Sequence, residues 1–148
     1  MGAGRAGDVD PGALALDQGP ATGTVAEVGQ TVLIAWKETR ESARAVTAAL
    51  PWLARARAVH VVGYGEAAEP SLRSLQAYLR AQGVSATVRA GGADDSEIGE
   101  RLLSLAADVG ADLLVMGCYG HSRAREWVVG GATRSILRSM TLPVLMAH

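Results

Sequence analysis

Ala111-Asp112-Leu113-Leu114-Val115-Met116-Gly117 (residues 111–117) is the stretch on which the fold turns. Its segment Asp112–Gly117 (DLLVMG) is a near-continuous apolar run ending in glycine. A strand covered on both faces of a parallel sheet has that character, because neither face needs polar residues for water. Thr31–Trp36 (TVLIAW) and Pro143–Ala147 (PVLMA) read the same way. Ala58–Gly63 (AVHVVG) is a fourth strand. Val84–Arg89 (VSATVR) alternates Val84, Ala86 and Val88 with Ser85, Thr87 and Arg89, as an edge strand with one wetter face does.

Helical patterns fill the gaps. Ser42–Ala56 sets Val46, Leu50 and Leu53 on one stripe, with Pro51 expected to kink the helix or end its first part. Ser71–Gln82 places Leu72, Leu75, Tyr78 and Leu79 at helical spacing and stops at Gly83; Ser96–Val109 uses Ile98, Leu102, Leu105 and Ala106 and stops at Gly110. A last helix is expected over Ala132–Met140, through Ile136, Leu137 and Met140. Strict alternation of strand and helix, with no internal repeat, predicts one α/β unit: an open parallel sheet with helices on both faces.

The chain of 148 residues suits a single core, and its 49% hydrophobic content excludes a wholly disordered one. Fourteen basic residues against fifteen acidic ones give no global field to gather nucleic acid or an anionic membrane. No apolar run approaches a membrane span, and a single cysteine forms no internal disulfide. A cytoplasmic location is therefore expected. Residues 1–30 are rich in Gly, Ala, Asp and Pro without sustained periodicity, and read as a flexible leader or the remnant of an upstream segment, with residues 31–148 as the domain.

Beyond residue 117 the glycines cluster. Gly117-Cys118-Tyr119-Gly120-His121 continues through Arg123, Arg125 and Trp127 to Gly130-Gly131-Ala132-Thr133, a glycine-bounded loop leading into a helix start. Ligands of open α/β sheets bind outside the carboxyl ends of strands, and this loop leaves such an end. Backbone N–H groups freed by glycines, a helix N-terminus, and Arg123, Arg125, Arg134 and Arg138 against Glu126 alone make surroundings suited to phosphate. The alternative is that the glycines only permit close packing. Neither a P-loop nor the GxGxxG spacing is present.

Gly117-x2-Gly120-x9-Gly130, with ADLLVMGCYGHSR and TLPVLMAH around it, resembles the nucleotide-binding signature of the universal stress protein family over about residues 31–148. The resemblance implies strand order 3-2-1-4-5 in an adenine-nucleotide alpha-hydrolase-like fold, dimerisation through the last strand, and binding of ATP or a related adenine nucleotide. Any Mg²⁺ would arrive with the nucleotide. The resemblance assigns the site to Ala35, Trp36 and Lys37 at the end of the first strand, Val62 in the second, and Met116 and Gly117 in the fourth. Gly120, His121, Arg123, Gly130, Gly131, Ala132 and Thr133 complete it. Lys37 stands where nucleotide-binding members carry an Asp, and Gly131 where the motif has Ser or Thr. Gly131 keeps its N–H for an anion, and Thr133 keeps a hydroxyl nearby.

Lys37, the only lysine, is either a solvated loop charge or a phosphate ligand. Cys118 reads as a small buried hydrophobe, His60 as a packed strand residue, and His121 as a phosphate neighbour or an exposed loop residue. Trp36, Tyr64, Tyr119 and Trp127, four of six aromatics, fall near one edge, as a stacking wall or as ordinary packing. Three scattered histidines and one cysteine make no metal site. His121-Ser122 lacks the elbow and acid of a hydrolase, and Glu126 is the nearest base for water, so at most weak ATP hydrolysis is expected. The expected function is an adenine-nucleotide module acting in stress response by conformation or association. The alternative is a dimeric scaffold that binds no nucleotide.

Overall fold

The computed structural model describes residues 27–94, 97–118, 134, 136, 138, 139 and 141–148. The apolar runs form β1 (Thr31–Ala35), β2 (Ala58–Gly63), β3 (Thr87–Ala90), β4 (Leu113–Gly117) and β5 (Val144–Ala147). They make one sheet in the order β3-β2-β1-β4-β5, with every pairing parallel. The helices between them are α1 (Arg40–Leu53), α2 (Ala68–Ala81) and α3 (Ile98–Val109). Of the helix expected at 132–140, Arg134, Ile136, Arg138 and Ser139 are helical and the others lie outside the described residues.

Alternation along the strands divides the core into two layers. Val32, Ile34, Val61 and Val115 meet α1 and α2 through Val46, Leu53, Leu72 and Leu79. Leu33, Val62, Leu114 and Met116 face the other way, onto Leu102 and Ala106 of α3 and onto Ile136. Leu33, Ile34, Leu113 and Leu114 have no exposed surface, as the unbroken apolar runs imply. Each such side chain contributes roughly 1.5–3 kcal/mol through burial.

Several boundaries differ from expectation, each for a local reason. Pro51 does not split α1. It lies inside the last turn of a helix that ends at Leu53 rather than Ala56, where its missing N–H forfeits one bond near the end. The start moves upstream too, because Thr39 accepts the Ser42 N–H on its hydroxyl at 3.2 Å. The edge strand β3 begins at Thr87, not Val84. Val84 instead closes α2: its N–H reaches Leu79 O at 2.8 Å while Gly83, at φ +80°, turns the chain, and the valine is buried with the core. Gly110, at φ +68°, ends α3 in the same manner, with Ala111 N–H to Ala106 O at 2.8 Å.

Asp112 precedes β4 rather than joining it. Its carboxylate accepts the N–H groups of Gly29, Gln30 and Thr31 at 3.0, 2.9 and 3.3 Å, fastening the chain as it enters β1. His60 packs in β2 opposite Leu33 and Thr87.

Candidate functional site

The crossovers β1→β2→β3 run in one direction and β3→β4→β5 in the other, so the sheet reverses between β1 and β4. In open α/β sheets, ligands bind at such a point, outside the carboxyl ends of the strands. Ala35 is level with Val62 on one side and Met116 on the other, placing three of the candidate residues in a single row across β2, β1 and β4. All three belong to the layer facing α3, where Val62 and Met116 are buried and Ala35 is a short, half-buried step between them. Lys37 follows, exposed to solvent, and its carbonyl accepts the Thr39 N–H at 2.7 Å.

Gly117 ends β4 level with Ala147 of β5. A Cβ there would lie 2.6 Å from the Ser42 nitrogen and 2.8 Å from the Glu41 carbonyl carbon, so the glycine lets the strand press against the first turn of α1. Cys118 is buried beyond it, with its N–H bonded to Ala147 O at 2.9 Å. Burial pushes its thiol pKa up, a backbone hydrogen bond opposes this, and the nearby Glu41 carboxylate raises it further. A thiol held protonated is a poor nucleophile, in keeping with the reading of Cys118 as packing.

Trp36 departs from the row. Its backbone N–H extends the β1–β2 ladder to Val62 O at 2.8 Å, but its indole lies in the other layer and donates to Ser71 Oγ of α2 at 2.6 Å. There it floors an apolar groove of about 290 Å³ between α1 and α2, beside Val46, Leu75 and Tyr78. Its ring thus lies in a different layer of the core from that of Tyr64. Tyr64 lies on the α3 side with Arg101 over its ring, 4.7 Å from the centroid. Burial raises the phenol pKa, and the Arg101 charge works against that rise. Tyr119 and Trp127 lie outside the described residues, as do Gly120, His121, Arg123, Gly130, Gly131, Ala132 and Thr133. Among the described residues no group of three or more His, Cys, Asp or Glu could hold a metal ion.

One feature of this end of the sheet escaped the sequence reading. A groove of about 430 Å³ opens beside Val62, walled by Tyr64, Arg89, Arg101 and Leu105. Arg101 is spaced like any solvated charge on an amphipathic helix, and only the packed fold turns it toward the strand ends. Of the row across β2, β1 and β4, Val62 is the residue that lines this groove.

The universal stress protein family model matches residues 29–148. The chain belongs to the universal stress protein family. A universal stress protein from Synechocystis sp. is 44% identical over 46 residues, a stretch covering 31% of this chain and 16% of that relative. A universal stress protein from Lactobacillus plantarum has the same fold at 13% identity and TM-score 0.68, covering 83% of this chain and 100% of that one. A universal stress protein solved in complex with cAMP is 26% identical, with TM-score 0.64, over 82% of this chain and 98% of that one. The strand order of this family member, and helices on both faces of its sheet, agree with these structures.

Proposed function

We propose that this universal stress protein binds ATP or a related adenine nucleotide in the crevice at the carboxyl ends of β1, β2 and β4. The observation that carries the reading is the row Val62–Ala35–Met116, which ends beside Gly117, the first glycine of the Gly-x2-Gly-x9-Gly spacing. The row gives a base and ribose an apolar seat. The glycine-rich composition of the stretch from Gly117 to Thr133 suits it to phosphates, since glycines leave backbone N–H groups free to meet an anion. Any magnesium would arrive with the nucleotide rather than bind alone. The related protein solved with cAMP supports an adenine nucleotide as the ligand class.

In this reading the module works in the cytoplasm in stress response, through conformation and association, as a homodimer joined along β5. Residues 31–148 are its working domain, and residues 1–30 a leader or the remnant of an upstream segment. Hydrolysis is at most slow. Among the described residues, no helix is long and apolar enough to cross a membrane.

The test begins with purified protein, denatured and passed over an anion-exchange column. Near-stoichiometric adenine nucleotide in the supernatant is the expected result. Its absence, together with no thermal shift on adding Mg-ATP, would sink the reading and leave the dimeric scaffold in its place. Any phosphate release should vanish in Gly130→Glu; release that persists marks a contaminant.

A further inference from the structure

Two loops border the groove beside Val62, through Tyr64 and Gly91. One follows β2 and carries Tyr64; the other follows β3 and carries Gly91, Gly92 and Asp94. They touch through their backbones, Gly91 N–H to Gly63 O at 2.7 Å and Gly65 N–H to Gly92 O at 2.9 Å. Gly91 admits no side chain, since a Cβ there would run into the Tyr64 ring. Arg101, entering from the second turn of α3, binds both loops at once. Its guanidinium lies over the Tyr64 ring, donates to Asp94 O at 2.6 Å, and donates again to Gly91 O. A planar fork with several donors can stack and bond two carbonyls together, whereas an ammonium is a point donor without a plane.

We infer that Arg101 is a positioning residue for the nucleoside end of the crevice. By tying Tyr64 to the 91–94 loop it holds the wall that continues outward from Val62, and so sets how firmly the site grips a base. Phosphates, seated on the far side near Gly117, are outside its influence. The inference rests on the nucleotide reading above, and its test separates the two.

Adenosine, ATP and inorganic tripolyphosphate are titrated by calorimetry into wild-type protein, Arg101→Ala, Arg101→Lys and Gly91→Ala. Arg101→Ala should weaken adenosine and ATP by the same factor, about ten-fold, and leave tripolyphosphate unchanged. Arg101→Lys should recover only a minor part of the loss. Gly91→Ala, which displaces Tyr64 with Arg101 intact, should reproduce it. Unchanged adenosine affinity in Arg101→Ala overturns the inference, and so does an equal loss for tripolyphosphate, which would mark general damage. Hydrogen exchange of ligand-free protein provides the independent arm: amides of residues 91–94 should exchange faster in Arg101→Ala, and equal rates overturn the inference. If wild-type protein binds no adenosine, the nucleotide reading fails, and the exchange rates alone decide whether Arg101 holds the wall.

Discussion

At Gly117 the packing leaves no room for one more carbon, because the backbone of α1 occupies the place where it would go. Gly117→Ala must therefore part β4 from α1, and should lower stability by about 1–3 kcal/mol, the usual range for overpacking, seen as a shifted urea midpoint. An unchanged midpoint would contradict the close approach. Next to it, Cys118 and, farther off, Tyr64 both have pKa values raised in the folded state, chiefly by burial. The folded protein thus holds these protons to higher pH than the unfolded chain. Their contribution is complete below the ordinary cysteine and tyrosine ranges and is lost as pH rises through the folded values. Stability should accordingly fall with pH on the alkaline side, and less so in Cys118→Ala; an alkaline limb identical in the variant would contradict this. Lys37 answers a different question. It is exposed, so Lys37→Ala should leave the unfolding midpoint within about 0.5 kcal/mol. Any loss of nucleotide affinity in that variant then reads directly on a phosphate contact, and calorimetry showing none would return Lys37 to the solvated loop.

Among the elements, the entry to β1 depends on a residue from another part of the chain. Asp112 bonds three consecutive N–H groups, and hydrogen bonds to a charged acceptor are individually stronger than neutral ones. Asp112→Ala leaves all three without that acceptor and should destabilise by about 2–3 kcal/mol, with faster exchange at Gly29, Gln30 and Thr31. A loss below about 0.5 kcal/mol would show that water replaces the carboxylate well. This contact also marks where sequence reading stops. DLLVMG shows a buried strand plainly, but nothing local to Asp112 tells of partners more than eighty residues away. Val84 misleads for a related reason: its alternation with Ala86 and Val88 is real, yet its N–H is taken by the turn that ends α2. Periodicity reports which face is buried, not which hydrogen bonds the backbone chooses. At the site, glycine spacing and family resemblance point to the strand ends, and Ala35, Val62 and Met116 do meet there. Trp36 and Arg101 were illegible, because which way one side chain turns off a strand end, and what one helix charge leans over, are settled only by packing.

Across the whole molecule, the sheet ends on two different edges. β3 presents exposed Thr87, Arg89 and Ala90, and a charged, polar edge discourages pairing with another chain. β5 is more apolar, with Val144 and Leu145 buried and Met146 and Ala147 half-covered. Association through β5 should therefore appear as a dimer mass in sedimentation equilibrium; a monomer at every concentration would remove it from the account.

The course of Trp36 has a practical consequence. Its peptide continues the β1–β2 ladder while its ring packs in the layer of α1 and α2, anchored to Ser71. The indole is thus an optical gauge set in the opposite layer of the core from Ala35, Val62 and Met116. In protein with Trp52 and Trp127 replaced by phenylalanine, a change of emission on adding nucleotide would register motion relayed through the end of β1, free of direct quenching.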